Sequence, residues 1–580
     1  MASPPKTIAD PAKIDLYAAR QTIRAGKATD AWLASWMPGT YASPERFRGA
    51  LFAESGARRE APLASRPGAA CELYRDFVAA HLGKRRVALV EPRGDGWERT
   101  SFDALHVRVT ALASAWAEAG VEAGQCVAIV LAPGLDLWVS LLAAFHSGAV
   151  AAIVSPLGPA FVRSRLALLA PDRVATSERH LLAIGPIASP VLPIAAPSRA
   201  SPGVAPRTYE HDAPAMRLAS PFAHTLTDAV SEISAGVLLE GAVRDATLVY
   251  CLDPGEVLAA PGFDPLQFQP SFLLSALVAG AAWAELPDEP SLDAPSALER
   301  AGVSVLGVRS ALRDRLLARG GDDLKPPLRA WFRSLTETQD VTRWDDFGAL
   351  IARRRLPGFG IVAHPAAGGC QLASGSVPAA PTLRVWPAAG VPWLLTEIAG
   401  GAVPAFNDTG ICSIVRDEEP VLAPPNVVIG RYGECWVYSG VVPLGPEAQA
   451  YPFAEVEAVA ARHPDVRYAA AFVVGGRHLN EAHSVLLAFV DATPSPDGTL
   501  DPSVSVAELR SLVVAEVGER YAPERIEVFP LRPRIVDGAV DRVWCRAQYL
   551  SGNLYEKARS APFLILSRLG YMFGPPRGGA

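Results

Sequence analysis

The sequence predicts an α/β protein: a large N-terminal body of stacked α/β units with a β-rich lobe, followed by a small α+β C-terminal domain. Three observations predict it. From Leu73 to Arg319, apolar runs of strand length alternate with segments of helical spacing, as in parallel sheets wound by crossovers. Residues 357–430 carry many Gly and Pro between short apolar runs, which reads as β-rich structure. Near Gly430-Arg431 the pattern changes to a compact mixture of strands and helices.

The elements follow in order. Residues 1–68 form an Arg- and Ala-rich N-terminal extension. Ile14 to Ala25 has helical spacing, and Trp32, Trp36, Tyr41 and Phe47 can dock it on the body. The body is expected over 69–430. Glu72 to Leu82 is helical, Arg86 to Glu91 and Trp97 to Ser101 are strands, and Ser101 caps a helix from Phe102 that stops at Gly120. Strand Gln125–Leu131, helix Leu135–Phe145, strand Ala149–Val154, helix Ala160–Leu169 and strand Arg173–Thr176 come next. After the connecting segment 184–215, Asp228 to Leu239 reads as helix and Thr247 to Cys251 as strand. The alternation resumes from Ser271 to Arg319. The small domain is expected over 431–550: strand Cys435–Tyr438, helix Pro452–Arg462, strands Val466–Val474 and Ser484–Asp491, and helix Val506–Val517. Its Glu455 and Glu457 are expected in solvent. Residues 551–580 form a tail with an apolar run, Ala561 to Phe573, too short to span a bilayer.

Composition narrows the function classes. The chain has 580 residues, 50% apolar and 20% charged, which supports several folded domains and excludes a disordered chain. A net charge of −6 gives no basic surplus for nucleic acid. The least charged run, Leu137 to Val162, is broken by His146, Gly148, Pro156 and Gly158, as expected of a core helix and buried strand rather than a membrane span. The seven cysteines lack paired spacing, so neither a disulfide framework nor a zinc cluster is expected. With no apolar segment opening at Met1 to Lys6, the expected location is cytoplasmic. His478 to His483 lacks zincin spacing, and Ser374-Gly375-Ser376 has no evident catalytic partner. Lysine is scarce: Lys6, Lys13, Lys27, Lys84, Lys325 and Lys557 are all there are.

Three stretches carry a resemblance: AGVEAGQCVAIVL, LLAAFHSGAVAAIVSPL and PDRVATS within Phe102–Ser177; GRYGECWVYSGVVPLGPEAQAYPFAEVEAVAARHPDV at Gly430–Val466; and PLRPRIVDGAVDRVWCRAQY at Pro530–Tyr549. Their order over Leu73 to Tyr549 resembles the adenylate-forming superfamily: acyl- and aryl-CoA synthetases, peptide-synthetase adenylation domains and luciferases. The resemblance implies an acyl-CoA synthetase-like fold, a body with a C-terminal lid that rotates over an active site between them. It implies a reaction in which a carboxylate and ATP give acyl-AMP, whose acyl group then passes to a thiol.

Against that pattern the chemistry-bearing positions are altered. The phosphate loop should precede Leu226, yet Val204 to Ala235 contains no glycine and no lysine. The loop is therefore expected to be deleted, with Ser220, Thr225 and Thr227 capping a helix. At the aromatic-Gly-x-Thr-Glu motif stands Val362-Ala363-His364-Pro365-Ala366, with Pro365 and Ala366 at the Thr and Glu positions, followed by the retained Gly368 and Gly369. His364 is the remaining candidate donor. The ribose-binding Thr-Gly-Asp is Thr409-Gly410-Ile411, preceded by Asp408. The hinge keeps Arg431, but its acid position is Gly433, beside Glu434; Gly440 matches the glycine of the lid loop. The lid lysine is Ala539.

The expectation is a degenerate homologue, a ligase-fold pseudoenzyme with no catalytic residue and no cofactor, serving as a binding or partner subunit in a biosynthetic pathway. Its candidate binding residues are His364, Gly368, Gly369, Asp408, Arg431 and Gly440, with no metal ligands. Its partner would be an acyl or aryl ligand, or a carrier or biosynthetic protein, with 561–573 contacting its own body, a partner or a membrane surface. Two alternatives stay open: an active AMP-dependent acyl-CoA or acyl-carrier ligase using ATP and Mg²⁺, and an ATP-independent acyl-transfer enzyme.

Overall fold

The computed structural model describes residues 15–560 apart from 95, 196–203, 220–229, 265–267, 287–296, 322–323, 325–326, 337–340, 380–382, 397–408, 417–418, 422–426, 433–434, 442–450, 475–482, 491–503 and 537–538. Two sheets build the body. The first runs in the order Val191–Leu192, Arg173–Thr176, Cys126–Val130, Val150–Val154, Pro214–Ala219, Val230–Ser234. Its strands are parallel except for the last pair, an antiparallel hairpin.

The second sheet has fourteen strands among the described residues. Val87–Arg93, Ala282–Ala284, Val257–Ala259, Val305–Gly307, Ala330–Ser334 and Gly358–His364 lie side by side and parallel. It then turns antiparallel through Gly369–Ser374, Arg384–Pro387, Cys435–Val441, Val427–Tyr432 and Thr409–Arg416. The helices Phe102–Glu118, Leu135–Ser147 and Gln269–Ala279 fill the core they share with the sheets, and the last is buried along its whole length. Ser101 caps the first of these by accepting from Ala104 N.

Residues 15–59 form three helices, Leu16–Arg24, Asp30–Ala42 and Pro44–Arg59, folded onto the body. Arg20 is fully buried and donates to the carbonyls of Cys251 and Leu252 and to Asp253. Arg24 pairs with Glu256 at 2.6 Å, and Arg58 with Asp253. Tyr41 donates its hydroxyl to the Pro387 carbonyl at 2.7 Å.

The C-terminal domain packs helices Phe453–Ala460 and Val506–Val517 on the strands Val466–Val474, His483–Val490 and Arg525–Phe529. One apolar cluster joins it to the body: Phe161 and Val162 of the helix Pro159–Leu169 share it with Val456, Val513 and Tyr521. Within this interface Arg165 pairs with Glu455 at 2.7 Å, and Ser164 donates to the same carboxylate. Gly158 has no Cβ to spare: one placed there would lie 2.3 Å from the Glu516 backbone.

Several expectations need correction. Asp228–Leu239 is not one helix: Val230–Ser234 is a strand, and the helix is Ala235–Arg244. Thr247–Cys251 is not a strand, because Asp245–Val249 forms a wide π-type turn that continues that helix. The loop expected to be deleted falls on residues 220–229, which lie outside the described residues. Ser220, Thr225 and Thr227 lie outside the described residues. The change of pattern near 431 falls inside a hairpin of the body sheet, and Cys435–Val441 pairs with Arg384–Pro387 there. Glu455 is buried, and Glu457 is bound by Arg542 and by the backbone N–H of Ala471. All seven cysteines are free thiols, six of them buried. Among the described residues no helix is long and apolar enough to cross a membrane.

Candidate functional site

His364 ends the buried strand Gly358–His364, and Pro365–Ala367 then make a single 3₁₀ turn. Proline fits its first position because the N–H it lacks would have no partner there. His364 caps this turn: its Nδ1 accepts from Ala366 N at 3.1 Å. A backbone N–H can only donate, so the ring's neutral form carries its proton on Nε2. Burial lowers the imidazole to about 4, against the pull of the Asp264 carboxylate. Near neutral pH His364 is thus an uncharged hydrogen-bond donor at Nε2, without the lone pair there that a general base needs.

The turn is fastened from below. Arg244, at the end of the helix Ala235–Arg244, donates through Nη2 to the carbonyls of Gly368 (2.9 Å) and Cys370 (2.8 Å). It also pairs with Asp245 at 2.8 Å, and Asp245 accepts from Cys370 N at 2.6 Å. Burial raises the Asp245 carboxyl to about 6, with Arg244 pulling the other way. The helix comes so close that a Cβ on Gly241 would lie 1.7 Å from the Gly368 oxygen.

Across the cleft, Asp264 precedes the buried helix Gln269–Ala279 and pairs with Arg520 of the C-terminal domain at 2.5 Å. Beside Asp264, the rings of Tyr250, Phe263, Phe272, Phe332 and Phe359 pack into one aromatic mass, with Phe263 and Phe332 centroids 5.7 Å apart. That mass fills the space between the helix and the strands Ala330–Ser334 and Gly358–His364.

The structure brings His364, Gly368 and Gly369 into this one turn. It does not place Arg431 and Gly440 on it. Both stand on the 427–441 hairpin, Arg431 opposite Trp436 and Gly440 opposite Val428. The strands Cys435–Val441 and Arg384–Pro387 separate Arg431 from the turn's own hairpin. Asp408, Gly433 and Glu434 lie outside the described residues. Ile411 is a buried strand residue between Thr396 and Val428. Ala539 is exposed on a two-residue strand facing Val536. Sequence reasoning missed Asp264, Arg520 and the Arg244-Asp245 pair. The pair had a signal, two adjacent charges inside the apolar run 235–252; the other two had none.

Among the described residues, the turn 365–369 carries no side-chain oxygen or nitrogen to offer a magnesium-bound triphosphate. Among the described residues no group of three or more His, Cys, Asp or Glu is placed to hold a metal. The carboxylate facing the turn, Asp264, is already paired with Arg520. Ala366 offers no oxygen in place of the glutamate the resemblance calls for.

Residues 77–174 match the family of AMP-binding enzymes. Solved structures share the fold over most of the chain. An artificially fused adenylation–carrier (PCP) di-domain, NpsA-ThdA from Klebsiella oxytoca, aligns with TM-score 0.61 and 13% identity over 80% of this chain and 87% of its own. The o-succinylbenzoate CoA synthetase of Bacillus subtilis gives TM-score 0.60 and 14% identity over 82% and 98%. The acetoacetyl-CoA synthetase of Streptomyces lividans gives 0.58 and 16% over 93% and 95%. No curated protein matches in sequence. The fold is therefore that of the adenylate-forming synthetases, a family that uses ATP and Mg²⁺ when active.

Proposed function

We propose that this chain keeps the adenylate-forming scaffold without its ATP chemistry, and acts as a non-catalytic subunit that binds an acyl or aryl group or the carrier bearing it. The observation that carries the reading is the 365–369 turn. Where the resemblance calls for a hydroxyl and a carboxylate, Pro365 and Ala366 close a compact turn fastened by Arg244 and capped by His364. In this reading Ile411 and Ala539 replace the ribose aspartate and the lid lysine, and the 220–229 connection has neither glycine nor lysine. Loss of one preorganised electrostatic group costs about 2.7–4 kcal/mol of transition-state stabilisation. Several such losses remove useful turnover even without additivity. The tautomer of His364 also argues against general-base acyl transfer, since its free nitrogen bears the proton. A cytoplasmic location fits this role and is part of the proposal, as is contact of 561–573 with a partner or membrane surface.

The test is ATP–pyrophosphate exchange over a panel of fatty and aromatic acids, together with thermal melting in ATP–Mg²⁺. Exchange should stay at background and the melting temperature should not rise, because a ligand stabilises only the state it binds. Acid-dependent exchange with turnover would establish the active-ligase alternative instead.

A further inference from the structure

We propose that the C-terminal domain does not swing over the cleft but is held on the body in one pose, as a fixed wall. The resemblance implies a lid that rotates, and three independent features of the structure oppose rotation. The first is the hinge itself. The chain is paired in the body sheet on both sides of 433–434: Tyr432 stands opposite Cys435, Arg431 opposite Trp436 and Gly430 opposite Val437. Trp436 and Val437 also pair with Val385 and Arg384 on their other side. Turning the chain at 433 would tear this ladder and leave its N–H and C=O groups without partners.

The second feature is the seam with the helix Pro159–Leu169. Domains of one chain move against each other unless the face between them is large and apolar. Here Phe161 and Val162 share one apolar cluster with Val456, Val513 and Tyr521. The two chains also interlock. A Cβ on Gly158 would lie 2.3 Å from the Glu516 backbone, and one on Gly518 would lie 2.9 Å from the Leu157 Cβ. Each side fits against a glycine of the other, so sliding the seam by one residue drives a side chain into closely packed atoms. At its centre the Arg165–Glu455 pair is buried, and parting the domains would strand both charges.

The third feature is a second attachment. Arg520 pairs with Asp264 at 2.5 Å. The helix Pro159–Leu169 packs on strand Val150–Val154 of the first sheet, whereas Asp264 precedes the helix Gln269–Ala279, which packs on strand Ala282–Ala284 of the second. The C-terminal domain is therefore tied to both halves of the body, and a pivot about either tie breaks the other. The cleft beside His364 keeps one shape, and the chain offers one fixed surface of body and C-terminal domain to an acyl group or its carrier. This inference goes beyond the proposed function and does not rest on it: an active chain can be fixed in one pose, and an inactive one can rotate.

Electron–electron double resonance on the full chain tests it. The background is Cys435→Ser, since the other six cysteines are buried. Nitroxides are attached at the exposed positions Leu182→Cys or Val107→Cys in the body, each paired with Val543→Cys in the C-terminal domain. One distance is expected for each pair, with and without ATP–Mg²⁺ and decanoate, and any second distance should hold under about 10% of the molecules, the level of a minor state. Glu455→Ala/Arg520→Ala, which breaks both ties, should bring in a second distance above that level. Gly158→Ala, which forces the seam apart and leaves both ion-pair partners in the chain, should shift or broaden the single one. A second distance above that level in the otherwise unaltered chain, or the parent distance kept in both variants, would overturn the proposal. Pyrophosphate exchange is read separately, so the proposed function stands or falls on its own test.

Discussion

Replacing Glu455 by Gln should loosen the C-terminal domain from the body. The side chains of Arg165 and Glu455 are 2% and 5% exposed and meet at 2.7 Å. Removing one member of such a pair strands the other charge in an apolar interface, at a cost of about 3–5 kcal/mol. Arg165 cannot swing into solvent, since its guanidinium lies 4.6 Å above the Phe161 ring, and Phe161 stacks on Tyr521. The loss should appear first as local opening. Hydrogen exchange should accelerate in the helices 159–169 and 453–460 before the core strands of either sheet respond, and the first urea transition should move to lower concentration. Arg165→Met should behave alike. The double variant Arg165→Met/Glu455→Leu should recover most of the stability, because an apolar replacement of both charges removes the desolvation cost as well as the attraction. The partly exposed pairs of Glu516 with Arg163 at 3.5 Å and Arg462 at 3.0 Å are the control, and Glu516→Gln, which weakens both, should cost under about 1 kcal/mol. If Glu455→Gln costs no more than that control, the interface does not depend on its buried pair and the reasoning is wrong.

Acid should release the extension through Glu256. Burial pushes this carboxyl up, but hydrogen bonds from Arg329 and Arg24 outweigh it and hold it at about 2, against an ordinary 4.5. Its contribution is present above pH 4.5 and lost as pH falls towards 2, at most about 3 kcal/mol by linkage. Protease cleavage within 15–59 should rise over that window, and Glu256→Gln should show the rise already at neutral pH. Gly241→Ala should destabilise by about 1–3 kcal/mol in urea melts, because the added carbon meets a backbone oxygen that cannot yield. Gly49→Ala, in a helix with open space around it, should stabilise by up to about 1 kcal/mol. Arg244→Lys should fail to replace arginine. One ammonium cannot span Asp245 and two carbonyls in the plane the guanidinium uses, so a loss of about 2 kcal/mol or more is expected in the same melts.

Most of the body was legible because its signals are local. The strands at 126–130 and 150–154 are unbroken apolar runs, and Ser101 and Gly120 bracket a helix by their own backbone chemistry. Thr247–Cys251 shows where this fails. Its β-branched and aromatic residues favour a strand, yet the chain stays coiled there. The carbonyls of Tyr250, Cys251 and Leu252, which would otherwise seek a strand partner, are taken by Arg20, Arg24 and Arg329. Those arginines lie 78 to 232 residues away, beyond the reach of any local pattern. The Arg165–Glu455 pair was hidden for the same reason, and periodicity alone put Glu455 in solvent.

That failure bears on the site. With only six lysines in the chain, positive charge is almost entirely arginine. Arg20, Arg24, Arg244 and Arg329 each bind backbone carbonyls together with a carboxylate, a planar multidentate task that lysine performs poorly. A guanidinium engaged in this way would have to give up those bonds to turn towards a phosphate. In the proposed reading, the candidate site therefore differs from the family pattern by more than a few side chains. Arg244 lies directly beneath the altered turn and holds its carbonyls, while Arg520 is bound to the carboxylate across from it. In the proposed reading, a lysine at 539 would leave Arg244 bound to Asp245 and to the carbonyls of the turn. The proposed binding scaffold rests on where the arginines are used as much as on the residues at positions 366, 411 and 539.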